Sequence, residues 1–292
     1  MVLYPIDKSG SFTDAQSPPL EFEFPYKKGS APNVERQDKP HAHHVLEDSK
    51  GLIYVCDLGS DRVWVLEKKG EDQLAVKGYL QAPEGSGPRH AILSPDGMSS
   101  FSLIMNLIGR SHRSLLALIF PVLVYQADHL EKHLYVLTEL HHNLFIYDLT
   151  KPLPSHPLPD VERNIVPPSV PKESQSEMSS AELCLNPNIK NVLYASNRGQ
   201  LQLKPSGDVT GDSVAIILLS EDGGKVESIK HVETGGDGLR GMQISKDGKY
   251  AAVAGQNGGG VEIYKIGGER GDDWKLAAKD ETLESVVSFV WL

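Results

Sequence analysis

One unit recurs four times along the chain, and this repeat limits the fold more than any other feature. The unit is an apolar strand, a turn rich in Asp, Asn, Ser, Pro and Gly, a second strand, a polar tip and a third strand. The first copy has strands at 44–46, 52–55 and 63–66, a turn at 47–51 and a tip at 57–61. The second runs through Gly87-Pro88-Arg89-His90-Ala91-Ile92-Leu93, turns at Ser94-Pro95-Asp96-Gly97 and resumes at Lys132-His133-Leu134-Tyr135. Its tip is Glu139 to Asn143 and its third strand is 144–147. The third copy has strands at 182–185, 192–195 and 214–217, and the fourth at 241–244, 250–253 and 261–264. Short apolar runs separated by turns read as antiparallel strands. The repeat therefore predicts an all-β chain, a β-propeller of four-stranded blades, as one domain over residues 1–292.

The turns begin at residues 47, 94, 186 and 245, giving gaps of 47, 92 and 59. The middle gap is too long for one blade. Asp96-Gly97 is expected to run straight into Lys132, as Asp247-Gly248 runs into Lys249. The 34 residues at 98–131 differ in character from the blades and read as an insertion foreign to the fold, in the manner of a translated intron, a genuine long loop or lid being the other reading. Its uncharged run, 114–127, is 14 residues and contains Pro121, too short to span a bilayer. A strand is expected near Leu20 to Phe24, and Thr150 to Ser180 is expected to be a Pro-rich connection. The start resembles the last strand of a blade, so the ring is expected to lack its first two or three blades and to expose strand edges.

The net charge of −10 argues against a nucleic-acid partner, which needs a basic face. A small anionic ligand stays compatible, because a few arginines act locally. The two cysteines, Cys56 and Cys184, fall in expected strands and are read as buried free thiols. With no disulfide framework and no signal peptide, a cytoplasmic setting is expected.

Several motifs in order resemble the seven-bladed propeller lactonases. They are Pro40-His41-Ala42-His43-His44, Gly87-Pro88-Arg89-His90, Leu137-Thr138-Glu139-Leu140 with Asn143, Ser196-Asn197-Arg198-Gly199, and Leu239-Arg240-Gly241 followed by Ala254-Gly255-Gln256. The family includes propeller-type 6-phosphogluconolactonases and fungal 3-carboxy-cis,cis-muconate cyclases. The likeness implies a lactonase that needs no metal or other cofactor and acts on a small anionic lactone. A muconate cyclase and a non-catalytic propeller scaffold are the other readings.

Lactone hydrolysis needs a base for water, a donor for the developing oxyanion and cations for an anionic substrate. The resemblance points to His41 as acid or base, and an imidazole titrates near neutrality. His41 and His43 are expected to share one strand face, with His44 turned away. No carboxylate or thiol at ligand spacing completes a metal site around the trio. Arg89, 48 residues on, is read as the matching position of the next blade, where a guanidinium holds an anion through two parallel hydrogen bonds. Glu139 is read as a base or as proton partner of His41, a structural ion pair with Arg89 being the other reading. Arg198 is a second anion binder. His43, Arg240 and Gln256 are expected substrate contacts.

Overall fold

A computed structural model describes residues 9, 11, 19–70, 73–95, 131–151, 157–203, 210–288, 290 and 291. Its strands form four sheets of four. The first holds β1 (Ala42–Glu47), β2 (Ile53–Asp57), β3 (Arg62–Lys68) and β4 (Leu74–Gln81). The second holds β5 (Pro88–Leu93), β6 (His133–Thr138), β7 (Asn143–Asp148) and β8 (Val161–Asn164). The third holds β9 (Ser179–Leu185), β10 (Val192–Arg198), β11 (Ser213–Leu219) and β12 (Val226–Glu233). The fourth holds β13 (Asp237–Ile244), β14 (Tyr250–Gly258), β15 (Val261–Gly267) and β16 (Asp273–Asp280). Each strand pairs antiparallel with the next, which is the blade the repeat predicts. Helix is limited, among the described residues, to two short 3-10 turns.

The fourth strand of each blade lies outside the repeat, and the pattern explains why. β8 is exposed over three of its four residues and β16 over all but one, so neither carries an apolar run. The middle strands are buried on both faces. Tyr54, Cys56, Val63 and Val65 pack on Leu134, Val136, Phe145 and Tyr147 between the first two blades. Leu137, Leu144 and Ile146 meet Leu193, Ala215 and Ile217 between the second and third. Tyr194, Val214 and Ile216 meet Met242, Val253 and Trp274 between the third and fourth. Burying each such side chain stabilises by about 1.5–3 kcal/mol, so the blades hold one another in a fixed order.

Two expectations are corrected. Residues 20–24 do not pair as a strand; they lie along the first blade, with Phe22 stacked on Trp64 at 5.0 Å. The stretch from Thr150 to Ser180 is more than a connection, since it supplies β8 and a 3-10 turn at Lys172–Glu177. Cys56 and Cys184 are free thiols in β2 and β9; Cys56 is buried as expected, whereas Cys184 is half-buried. The expected insertion at 98–131 lies outside the described residues except for Glu131, whose carboxylate accepts from the amide and hydroxyl of Ser49. On either side of it β5 and β6 pair in register, Leu93 opposite Leu134. The Ser94 amide donates to the His133 carbonyl at 2.8 Å and closes that hairpin.

Candidate functional site

The innermost strand of every blade carries a bulge at the same end of the sheets. On β1 the ladder pairs Ala42 with Asp57, then His44 with Cys56, leaving His43 as the extra residue. On β5 it pairs Pro88 with Thr138 and His90 with Leu137, leaving Arg89. On β13 it pairs Leu239 with Gly255 and Gly241 with Ala254, leaving Arg240. On β9 the shift falls between Leu183 and Ser180, at Ala181 and Glu182. A bulge breaks the alternation of a strand and re-aims one side chain. Here the bulges of the first, second and fourth blades turn His43, Arg89 and Arg240 toward a common cleft.

The second strand of each blade supplies the other wall. Leu58 and Glu139 follow the last ladder partners of β2 and β6, Arg198 is the last ladder partner of β10, and Gln256 follows Gly255, the partner of Leu239, on β14. A cleft of about 490 Å³ is lined by Leu58, Glu139 and Arg198 from this set and by His43, Arg89 and Arg240 from the bulges. Glu35, Arg36 and His41 from the segment leading into β1, with Ala42 at the start of that strand, close it. The sequence-predicted residues His41, His43, Arg89, Glu139, Arg198 and Arg240 thus all reach one cleft. Gln256 is not part of its wall; it accepts a hydrogen bond from Arg240 Nη1 at 3.4 Å.

Glu139 is the hub of the charges. Its carboxylate binds Arg36 Nη2 at 2.6 Å, Arg89 Nε at 2.9 Å and Arg198 Nη2 at 3.4 Å. Burial alone would raise its pKa, but Arg198, Arg36 and Arg89 together hold the carboxyl below its ordinary value. The expected pairing of His41 with Glu139 is therefore corrected. Glu139 is an ionised anchor of guanidiniums, the other reading that its sequence allowed. His41 Nε2 lies 2.6 Å from Asp38 Oδ1, and its backbone amide donates to Asp57 Oδ1 at 2.7 Å. A carboxylate can only accept, so Asp38 fixes the proton of His41 on Nε2.

Two further corrections follow from the bulges. The register partner of Arg89 on the first blade is His43, not His41. His43 and His44 do not point to opposite surroundings either, since both rings lie against His90, at 5.1 and 4.8 Å. Burial, with Arg89 and His90 adding, pushes His43 down to about 4, so it stays neutral near pH 7. His90 in turn meets Glu182 at 3.2 Å. Arg89 is held by Glu139, by the carbonyl of Ala181 and by Glu182 at 3.6 Å.

The sequence reading missed Arg36, Asp38 and Glu35. They lie in an irregular connection, where no periodicity marks them. Among the described residues Arg240 has no carboxylate partner, whereas Arg36, Arg89 and Arg198 share Glu139. No three His, Cys, Asp or Glu side chains among the described residues come together as a metal site.

Comparison with known proteins agrees with this architecture. A family model described as "Lactonase, 7-bladed beta-propeller" matches residues 1–290. A probable 6-phosphogluconolactonase of Arthroderma benhamiae is 25% identical over 265 residues, covering 90% of this chain and 56% of that protein. A 6-phosphogluconolactonase of Formosa agariphila is 25% identical over 294 residues, covering 93% of this chain and 68% of that protein. Among solved structures, the periplasmic gluconolactonase of Pseudomonas aeruginosa superposes with a TM-score of 0.66 at 18% identity, over 97% of this chain and 64% of that one. The chain spans a little over half the length of the Arthroderma relative.

Proposed function

The chain belongs to the seven-bladed β-propeller lactonase family, and we propose that it hydrolyses the lactone of a sugar acid bearing a second anionic group, such as 6-phosphogluconolactone. One observation carries this reading. Four guanidiniums converge on a cleft in which Glu139 serves three of them, while Arg240, with no carboxylate partner among the described residues, is left for an outside anion. Arg240, with Arg198 beside it, holds the phosphate. His41 faces the same cleft with its Nε2 proton donated to Asp38. Its other ring nitrogen keeps a lone pair for a proton of the attacking water. Water adds to the lactone carbonyl carbon as His41 takes its proton, the guanidinium side of the cleft stabilises the oxyanion, and the ring C–O bond breaks as His41 gives that proton to the leaving ring oxygen. Glu139 takes no proton in this scheme; it keeps Arg36, Arg89 and Arg198 in place.

The test is the initial rate of hydrolysis of 6-phosphogluconolactone against that of unphosphorylated gluconolactone, each corrected for spontaneous opening. A phosphate-dependent gain in kcat/KM of about tenfold, worth about 1.4 kcal/mol, is expected. No rate above the spontaneous one would contradict the reading, and turnover of 3-carboxy-cis,cis-muconate instead would replace it with the cyclase.

A further inference from the structure

We propose that Asp61 and Asp212 are positioning residues, each a buried carboxylate of one blade that clamps the glycine two residues ahead of an arginine in the next, and so sets where Arg89 and Arg240 present their guanidiniums. The inference rests on the function proposed above, in which Arg240 holds the phosphate and Arg89 belongs to the guanidinium side of the cleft that faces the substrate.

The two clamps share one geometry. Asp61 immediately precedes β3 and is fully buried. Its Oδ1 accepts the Gly87 amide at 2.8 Å and its Oδ2 the Gly85 amide at 2.7 Å, with the Tyr26 hydroxyl donating to Oδ2. Asp212 immediately precedes β11 and is also fully buried. Its Oδ2 accepts the Gly238 amide at 2.7 Å and the Leu239 amide at 3.4 Å. Its Oδ1 accepts the Leu201 amide at 3.2 Å. Gly87 and Gly238 both take the left-handed backbone, at φ of 65° and 69°. Each stands two residues before a bulged arginine, Arg89 or Arg240.

The second blade supplies the comparison. His142 stands immediately before β7, and its carbonyl accepts the Ile165 amide, as Asp61 accepts that of Ala82 and Asp212 that of Thr234. At this junction the side chain is an imidazole. The next blade then has Ser179 where the others have the clamped glycine, and Ala181 where they have the arginine. The arginine is present across the two junctions that have the carboxylate and absent across the one that lacks it. Stability alone does not account for this, because His142 is buried in the same place without a clamp. A carboxylate with two accepting oxygens fixes adjacent amides, and an error of about 1 Å in a binding group can cost on the order of 100-fold.

The experiment uses the full chain. The Kd of inorganic phosphate is measured by calorimetry for Asp212→Asn, Asp61→Asn, His142→Asn and Arg240→Ala, with KM and kcat for 6-phosphogluconolactone and a melting curve for each. Asparagine keeps the shape but offers one accepting oxygen in place of two. Asp212→Asn is expected to raise the phosphate Kd and the KM by about tenfold, equal to about 1.4 kcal/mol, with kcat little changed. His142→Asn is expected to lower the melting temperature and leave the Kd alone. Tyr26→Phe, which removes only a hydroxyl donated to Asp61, is the milder probe should Asp61→Asn fail to fold, and an increase in Kd of about twofold is expected from it. If Arg240→Ala weakens phosphate while Asp212→Asn and Tyr26→Phe do not, the clamp is overturned and the anion site stands. If Arg240→Ala itself leaves phosphate binding unchanged, the anion site is overturned and the clamp falls with it.

Discussion

The two ends of the same four sheets are built in opposite ways. At one end the hairpin turns are closed by short local bonds. Asp48 Oδ1 accepts the amides of Lys50 and Leu52, Asn186 Oδ1 those of Asn188 and Ile189, and Ser245 Oγ that of Tyr250. At the other end, bulges and charged groups meet across great sequence separation, as Arg36 meets Glu139 from 103 residues away. A cleft of about 400 Å³ exists at the turn end too, lined by Asp48, Glu131, Asp148 and Asp160. Most of its charges are paired locally, with Lys151 bound to Asp148 and Asp160 and Glu131 to Ser49, and Lys50 is the cation there without a carboxylate partner among the described residues. A cleft alone does not make a site; what distinguishes the first is the convergence of four guanidiniums, three of them on Glu139 and the fourth, Arg240, without a carboxylate partner among the described residues.

Breaking the hub should have the largest effect. Glu139→Ala leaves three guanidiniums without their shared carboxylate, two of them largely buried. Removing one partner of a buried ion pair costs about 3–5 kcal/mol, so urea unfolding should shift strongly and activity should fall with it. Arg240→Ala should behave otherwise, with KM raised about tenfold, or about 1.4 kcal/mol, and the unfolding midpoint almost unmoved. At the turn end the pattern should invert. Asn186→Ala removes the acceptor of two amides and the donor to the Gly248 carbonyl. A loss of about 1 kcal/mol in stability with unchanged kinetics is expected; changed kinetics would join the two ends.

The smallest effect is in pH. Burial pushes His142 down to about 4, so the folded chain refuses a proton that the unfolded chain accepts at its ordinary value of about 6.5. Stability is then independent of this group above about 6.5 and falls as pH drops from there toward about 4. His142→Asn should flatten that slope in melting curves taken across the range; an unchanged slope would assign it to other groups.

The sequence carried one end further than the other. Turns such as Ser245-Lys246-Asp247-Gly248 advertise themselves through residues bonded to their own neighbours, and the apolar middle strands follow from them. The same repeat put Arg89, Glu139, Arg198 and Arg240 at one end of the blades, because equal register positions converge. It failed where one bulged residue shifts the count, which is why His41 stood in for His43 as the partner of Arg89. Arg36 and Asp38 lay beyond reach, because an irregular segment has no period and its partners are set by the closed fold.

The most direct measurement is steady-state hydrolysis of 6-phosphogluconolactone by the unaltered chain, His41→Ala and Arg240→Ala in parallel. The account predicts turnover by the unaltered chain. It predicts that His41→Ala loses kcat by on the order of 10²–10⁴-fold with KM nearly constant, and that Arg240→Ala raises KM with kcat nearly constant. Equal kinetics in all three proteins would contradict it.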